Sequence, residues 1–305
     1  MGYRGPRGIF FLPRVYFSDG PRPTSMKSLA VMIAAVVVSA APSFAAESSV
    51  PKKPFYRPRL SRGVIAAKPR QTENAVVVNA ASFLPGISPG DLATIFGDNL
   101  TTVNGIVLAG VDPLPTQLAG VEVLVNGISA PIYGVAYAGG EDQISIQVPY
   151  GAPTGLGAAE IQVFDNEQLV ADFFTDSYTE DPGIFTYDGN FAIAEAADYS
   201  LIGPNNPANP GEPLVLYVTG LGPLTLDLVD GYGAPVTPPF AETVDPFQVI
   251  VDGENCDVFF SGLAPGFVGL YQINFYVPMD AAAGNLQISI QSSYANSATA
   301  LLPVQ

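Results

Sequence analysis

The chain has 305 residues, a formal net charge of −16, 31 glycines, 29 prolines, one cysteine and no histidine or tryptophan. All twelve Lys and Arg lie at or before Arg70, whereas Gln71 to Gln305 holds 26 Asp plus Glu and no basic residue. Such a body offers no phosphate clamp, which argues against nucleic-acid binding and phosphoryl transfer. The missing histidine removes the commonest general base and transition-metal ligand.

In chain order, residues 1–25 carry Gly, Pro and Arg without period and read as an over-extended start, with Met26 the expected initiator. Residues 26–45 have the layout of a secretory signal peptide. Met26-Lys27 forms a charged n-region, Leu29 to Val38 an apolar h-region, and Ser43-Phe44-Ala45 a small-residue cleavage site before Ala46. That apolar run is shorter than the roughly 20 residues of a membrane span, and no cysteine stands at the cleavage site to take a lipid. Residues 46–74 form a basic, Pro-containing linker with seven cations. Next to a polyanionic body, this linker is a candidate for docking on it, within or between chains.

The body, 75–305, carries no sustained helical period and instead repeats one pattern of short strands and turns. Pro89-Gly90-Asp91 before LATIF matches Pro210-Gly211-Glu212 before PLVLYV. VEVLV with Asn126-Gly127 matches FQVIV with Asp252-Gly253. QISIQVP (Gln143 to Pro149) matches QINFYVP (Gln272 to Pro278). Asn-Gly and Asp-Gly between β-rich runs predict type I′ hairpins, because both central residues need positive φ. The alternation of Ile144, Ile146 and Val148 with Gln143, Ser145 and Gln147 predicts a strand with one buried and one polar face, as does that of Ile273, Phe275 and Val277. Together these features predict an all-β protein of two tandem immunoglobulin-like β-sandwich domains, 75–180 and 181–305. Phe259, Phe260, Tyr271 and Phe275 fall in strand register and read as core. Cys256 reads as a buried, inert thiol.

With these residues laid out, the body resembles the uncharacterised Solibacter-type C-terminal domain family of acidobacterial secreted proteins. The resemblance rests on NAASFLPGISPGDLATIFGDNL, LPTQLAGVEVLVNG, DPGIF, NPGEPLVLYVTGLGP and GLAPGFVGLYQINFYVP, and covers nearly all of 75–305. The first part is also similar to IPT/TIG-type immunoglobulin-like domains. The resemblance implies an extracytoplasmic pair of sandwiches and lends no catalytic residue.

The expected function is a non-catalytic secreted or cell-envelope module, structural or adhesive, binding an extracellular protein or polysaccharide. The alternative is a secreted polysaccharide-acting hydrolase using paired carboxylates. No cofactor is expected. The one metal this composition suits is calcium, which oxygen ligands alone can hold. Its candidate ligands are Asp172, Asp176, Glu180 and Asp181 at the junction of the two repeats. Asp252, Glu254 and Asp257 form a second acidic cluster, but strand alternation sends them to different faces. With no internal cation, like-charge repulsion is expected to raise many carboxyl pKa values.

Overall fold

The computed structural model describes residues 75–305 apart from Gly189. The start, leader and linker expectations fall on 1–74, outside the described residues. Among the described residues all regular structure is β, and no helix is long and apolar enough to cross a membrane.

The first half contains β1 (Val76–Asn79), β2 (Leu92–Gly97), β3 (Ile106–Leu108), β4 (Gln117–Leu118), β5 (Val121–Val125), β6 (Ile128–Ser129), β7 (Ile132–Ala138), β8 (Glu141–Gln147), β9 (Gly155–Asp165) and β10 (Gln168–Ser177). They form two sheets, ordered β1-β2-β8-β7-β3 and β10-β9-β5-β4, with β6 paired to β5. The second half contains β11 (Gly183–Ile184), β12 (Thr186–Tyr187), β13 (Phe191–Ala192), β14 (Ala194–Ala196), β15 (Pro213–Thr219), β16 (Gln248–Val251), β17 (Glu254–Asn255), β18 (Val258–Leu263), β19 (Tyr271–Tyr276), β20 (Gly284–Gln291) and β21 (Ala300–Val304). Their sheets run β11-β15-β19-β18, with β14 also on β15, and β12-β13-β21-β20-β16-β17.

The repeat seen in sequence is thus a repeat of topology. The series β2-β8-β7 corresponds to β15-β19-β18, and β9-β5-β6 to β20-β16-β17. Both hairpins carry the backbone that their turn residues dictate: φ is +50° and +78° at Asn126 and Gly127, and +49° and +87° at Asp252 and Gly253. Each half closes on its own core. Ile144, Ile146 and Val148 pack with Val121, Val123, Ile161 and Val163 in the first. Ile273, Phe275 and Val277 pack with Val249, Ile288 and Ile290 in the second. All thirteen are at most 1% exposed, so each aliphatic side chain contributes about 1.5–3 kcal/mol of burial.

Two expectations are corrected. The polar face of β8 is not solvated: Gln143, Ser145 and Gln147 are all buried. Gln147 lies beneath the second half, its Oε1 accepting the Gly231 N–H at 2.6 Å. In β18 a register shift between Val258 and Phe260 breaks the alternation, leaving Phe259 43% exposed and Phe260 half-buried. Tyr271 and Phe275 are core, as the pattern predicts.

A third apolar cluster joins the sandwiches. It combines Ala80, Ala81 and Leu92 of the first with Phe185, Ile193, Tyr217, Ala264 and Leu270 of the second. Hydrogen bonds cross beside it: Leu92 N–H to Thr219 Oγ1 (2.9 Å), Tyr133 OH to Val268 O (2.6 Å), and Tyr150 N–H to Asp230 Oδ1 (2.8 Å). Domains in one chain move independently unless their interface is large and apolar. This one has a shared core sealed by polar ties.

Candidate functional site

The junction is built on close backbone approach. At Gly220, φ is +77°, and a Cβ would lie 2.0 Å from Asp181 O and 3.2 Å from Asn79 Nδ2. Only glycine fits there. The freed space lets Asn79 Nδ2 donate to Asp181 O at 2.7 Å and Asp181 N–H donate to Gly220 O at 2.9 Å. Asn79 Oδ1 also accepts the Ala81 and Ser82 N–H groups, at 2.9 and 3.0 Å. This single side chain therefore fixes the turn after β1 and the crossover between the halves.

Against that crossover lies the turn Ser88-Pro89-Gly90-Asp91. Proline at the second position and Gly90 at φ +84° make it a type II turn. The Asp91 N–H donates to Ser88 O (3.2 Å), and Asp91 Oδ2 accepts the Ser88 N–H (2.9 Å). Both residues are 0% exposed. Burial, then the nearby Asp181 charge, pushes the Asp91 carboxyl well above its ordinary range, against the hydrogen bonds from Ser88. Burial also pushes Asp181 up to about 6, with Asn79 acting in the other direction. Glu180 is raised chiefly by burial and further by Asp245, while Ser292 Oγ donates to its Oε2. Glu195, which accepts the Tyr217 hydroxyl at 3.0 Å, is raised by burial. At each of these carboxyls burial is the larger cause, in place of the like-charge repulsion that the charge count leads one to expect, and Asp181 and Glu195 are raised by burial alone.

The four sequence-nominated calcium ligands do not assemble. Asp172 is a half-buried strand residue opposite Gln162, and Asp176 Oδ1 accepts the Gly157 N–H at 2.6 Å. Glu180 turns to Ser292, and only Asp181 faces the Asp91 turn. Among the described residues no three Asp, Glu or Cys side chains stand together as a metal-holding group. Asp252, Glu254 and Asp257 are exposed around the β16–β17 hairpin. Cys256 is buried, with its thiol pushed up to about 11 by burial, which fits an inert side chain.

A second location has open chemistry. On edge strand β18 and its neighbour β19, Phe259 and Tyr276 are 43% and 44% exposed, with ring centroids 4.9 Å apart and planes tilted by 41°. The backbone ties them, Tyr276 N–H donating to Asp257 O at 3.0 Å. Asp257, whose backbone O takes that bond, is exposed, and on β19 the half-buried Gln272 donates through Nε2 to Oδ1 of the buried Asn274 at 3.0 Å. No basic residue is present in this part of the chain. Such a surface suits a ligand with an apolar face and hydroxyl donors, and repels an anionic one. The sequence reading missed it because a bulge cannot be seen in an alternation pattern.

A scan against protein-family models finds no match, and a search of curated proteins finds none either. Solved structures do resemble the chain. One is the SGBP-B protein of the Bacteroides ovatus mixed-linkage glucan utilization locus, in complex with a mixed-linkage heptasaccharide. The match is at 12% identity, over 72% of this chain and 43% of that one, with a TM-score of 0.30. The I9–I11 tandem of titin matches at 12% identity over 72% and 62%, TM-score 0.20. The tandem Ig repeats of Dlar match at 14% over 76% and 98%, TM-score 0.18. This chain spans under half of the first and under two thirds of the second. At these scores the likenesses carry no functional argument, and the sandwich architecture rests on the sheet order described above.

Proposed function

We propose that this protein is a non-catalytic, extracytoplasmic binding module whose ligand is a neutral polysaccharide held on the Phe259–Tyr276 face. The exposed aromatic pair carries the reading: two rings left in water on β18 and β19, next to the exposed Asp257, whose carboxylate is an acceptor for hydroxyl groups. The leader-like residues 26–45 support export. The Solibacter-type motifs support placing the body with a family of secreted modules. The hydrolase reading is disfavoured by position, because a glycosidase needs its two carboxyls flanking a substrate bond. The two carboxyls brought together at the junction, Asp91 and Asp181, include one that is fully buried, Asp91.

The test is affinity electrophoresis of the mature chain in gels containing neutral glucans, galactans or mannans. Retardation by at least one of them, reduced tenfold or more in the Phe259→Ala/Tyr276→Ala variant, is the expected result. Equal retardation of both proteins, or none with any neutral polymer, would remove this face from consideration.

A further inference from the structure

The buried polar atoms lacking hydrogen-bond partners are concentrated at the junction. Asp91 Oδ1, Ser177 Oγ and Asp181 Oδ2 are of this kind, and the Ser88 hydroxyl beside them turns to the Asp91 carboxyl. Ser88, Asp91 and Ser177 are 0%, 0% and 1% exposed. Native interiors leave few such atoms, and several in one place indicate a water or ion that satisfies them. The backbone gathers their carriers. Ile87 bridges Ser177 in parallel register, Ile87 N–H donating to Asp176 O (3.2 Å) and Tyr178 N–H to Ile87 O (2.8 Å). Asp181 follows four residues after Ser177 and is held against Gly220. The Ser88 hydroxyl and the Asp181 carboxyl both act on the carboxyl of Asp91.

Charge chooses between water and an ion. A water would satisfy lone pairs yet leave the repulsion between the two carboxyls to be relieved by a proton on Asp91, whose carboxyl is already raised, whereas a cation relieves it with both ionised. No Lys, Arg or His exists after Arg70 to offset them from within the body. A divalent cation meets both needs. The atoms named above are all oxygens, which selects a hard ion, while the unpartnered Gln147 Nε2 is on a side chain that turns to Gly231. Calcium accepts irregular oxygen sets, whereas magnesium demands a near-ideal octahedron.

We propose that the junction binds one calcium ion between Asp91 and Asp181, with the hydroxyls of Ser88 and Ser177 in its oxygen set. The site is distinct from the aromatic face and independent of the glycan reading. With only two carboxylates, its affinity belongs to the weak class of extracellular modules, about 10⁻⁴–10⁻³ M. Its ligands come from the 88–91 turn of the first sandwich and from the crossover, so occupancy ties the halves together.

The experiment uses the full mature chain after chelation. Melting temperature is followed against calcium chloride, with sodium chloride at matched ionic strength as the reference. A saturable rise of roughly 3–5 °C at ten times the half-saturating concentration is expected beyond the salt effect. Asp91→Asn and Asp181→Asn each abolish that saturable part, and Asp172→Asn keeps it. A rise that sodium chloride reproduces, or an unchanged calcium response in Asp91→Asn, overturns the proposal and leaves a buried water only. Should the variants fail to fold, terbium on the unaltered chain decides. Tyr150 and Tyr271 adjoin Asp91, so tyrosine-sensitised terbium emission displaced by calcium at one site supports it, and its absence overturns it.

Discussion

Two turns of this molecule share a design and differ in surroundings. Ser88–Asp91 and Asn209–Glu212 each place Pro-Gly at the centre, with φ of +84° at Gly90 and +77° at Gly211. In each, the last residue's carboxylate accepts the first residue's N–H, at 2.9 Å to Asp91 Oδ2 and 2.7 Å to Glu212 Oε2. In each, the glycine N–H reaches the strand before the next proline, Val148 O or Val277 O, both at 2.9 Å. Local chemistry thus produces the same turn twice. The first is sealed between the sandwiches, whereas Asn209 is exposed and Glu212 half-buried at a free end. A carboxylate that only closes a turn in one half becomes, in the other, a buried group needing an external partner.

Glycine substitutions test the contrast most severely. A Cβ on Gly90 would meet Tyr150 ring carbons at 2.4 and 2.8 Å and the Tyr271 hydroxyl at 3.3 Å. A Cβ on Gly211 would meet the sulfur of Met279 at 2.4 Å, the far part of a side chain that is 81% exposed and free to swing away. Gly90→Ala therefore adds overpacking to left-handed backbone strain and costs about 3–5 kcal/mol, against about 1–2 for Gly211→Ala, which carries the strain alone. Urea denaturation of both variants measures the gap, and equal losses would mean that the junction is not packed as described.

Next in size is Thr219→Val. Its hydroxyl accepts the Leu92 N–H at 2.9 Å and donates to Gly269 O at 3.0 Å, all inside the junction. Valine keeps the shape and leaves a buried donor and acceptor unpaired, an expected loss of about 2–4 kcal/mol by denaturant titration.

The pH response is smaller. With chelator present, the Asp181 carboxyl titrates near 6 in the folded chain against an ordinary 3.8. The native state binds more protons than the unfolded one between those values. Stability is therefore highest below about pH 4, falls as pH rises through 6, and levels off above, by about 1–3 kcal/mol. Calorimetric melts across that range should show the slope, and Asp181→Asn should lessen it, with the raised Asp91, Glu180 and Glu195 carboxyls supplying the remainder in the same direction. A melting temperature that instead climbs from pH 4 to 6 would contradict the burial account. The smallest effect is Glu212→Gln, whose amide oxygen can still accept the Asn209 N–H. A change within about 0.5 kcal/mol is expected from the same titration.

Much of the fold was legible because its signals are local. Asn126-Gly127 and Asp252-Gly253 can adopt positive φ in succession, and β-rich runs on either side leave a tight hairpin as the consistent reading. The hairpin at Asn166-Glu167, with φ of +47° and +65°, was less visible, since glutamate in that conformation is held by the β9–β10 pairing rather than by preference. The candidate sites were less legible. Phe259 is displaced by a bulge, and Gln147 is covered by a loop 84 residues away.

The amino-acid order alone determined the β class, the duplication, the turn chemistry and a body without cations, because each follows from periodicity, φ preference or composition. Only the tertiary structure decided which of two matching turns is buried, which acid meets which, and which aromatic rings face water. Asp91 and Asp181 stand 90 positions apart and become neighbours through the docking of two sandwiches. Burial, which sets the energy of a carboxylate, is a property of what comes to lie against it.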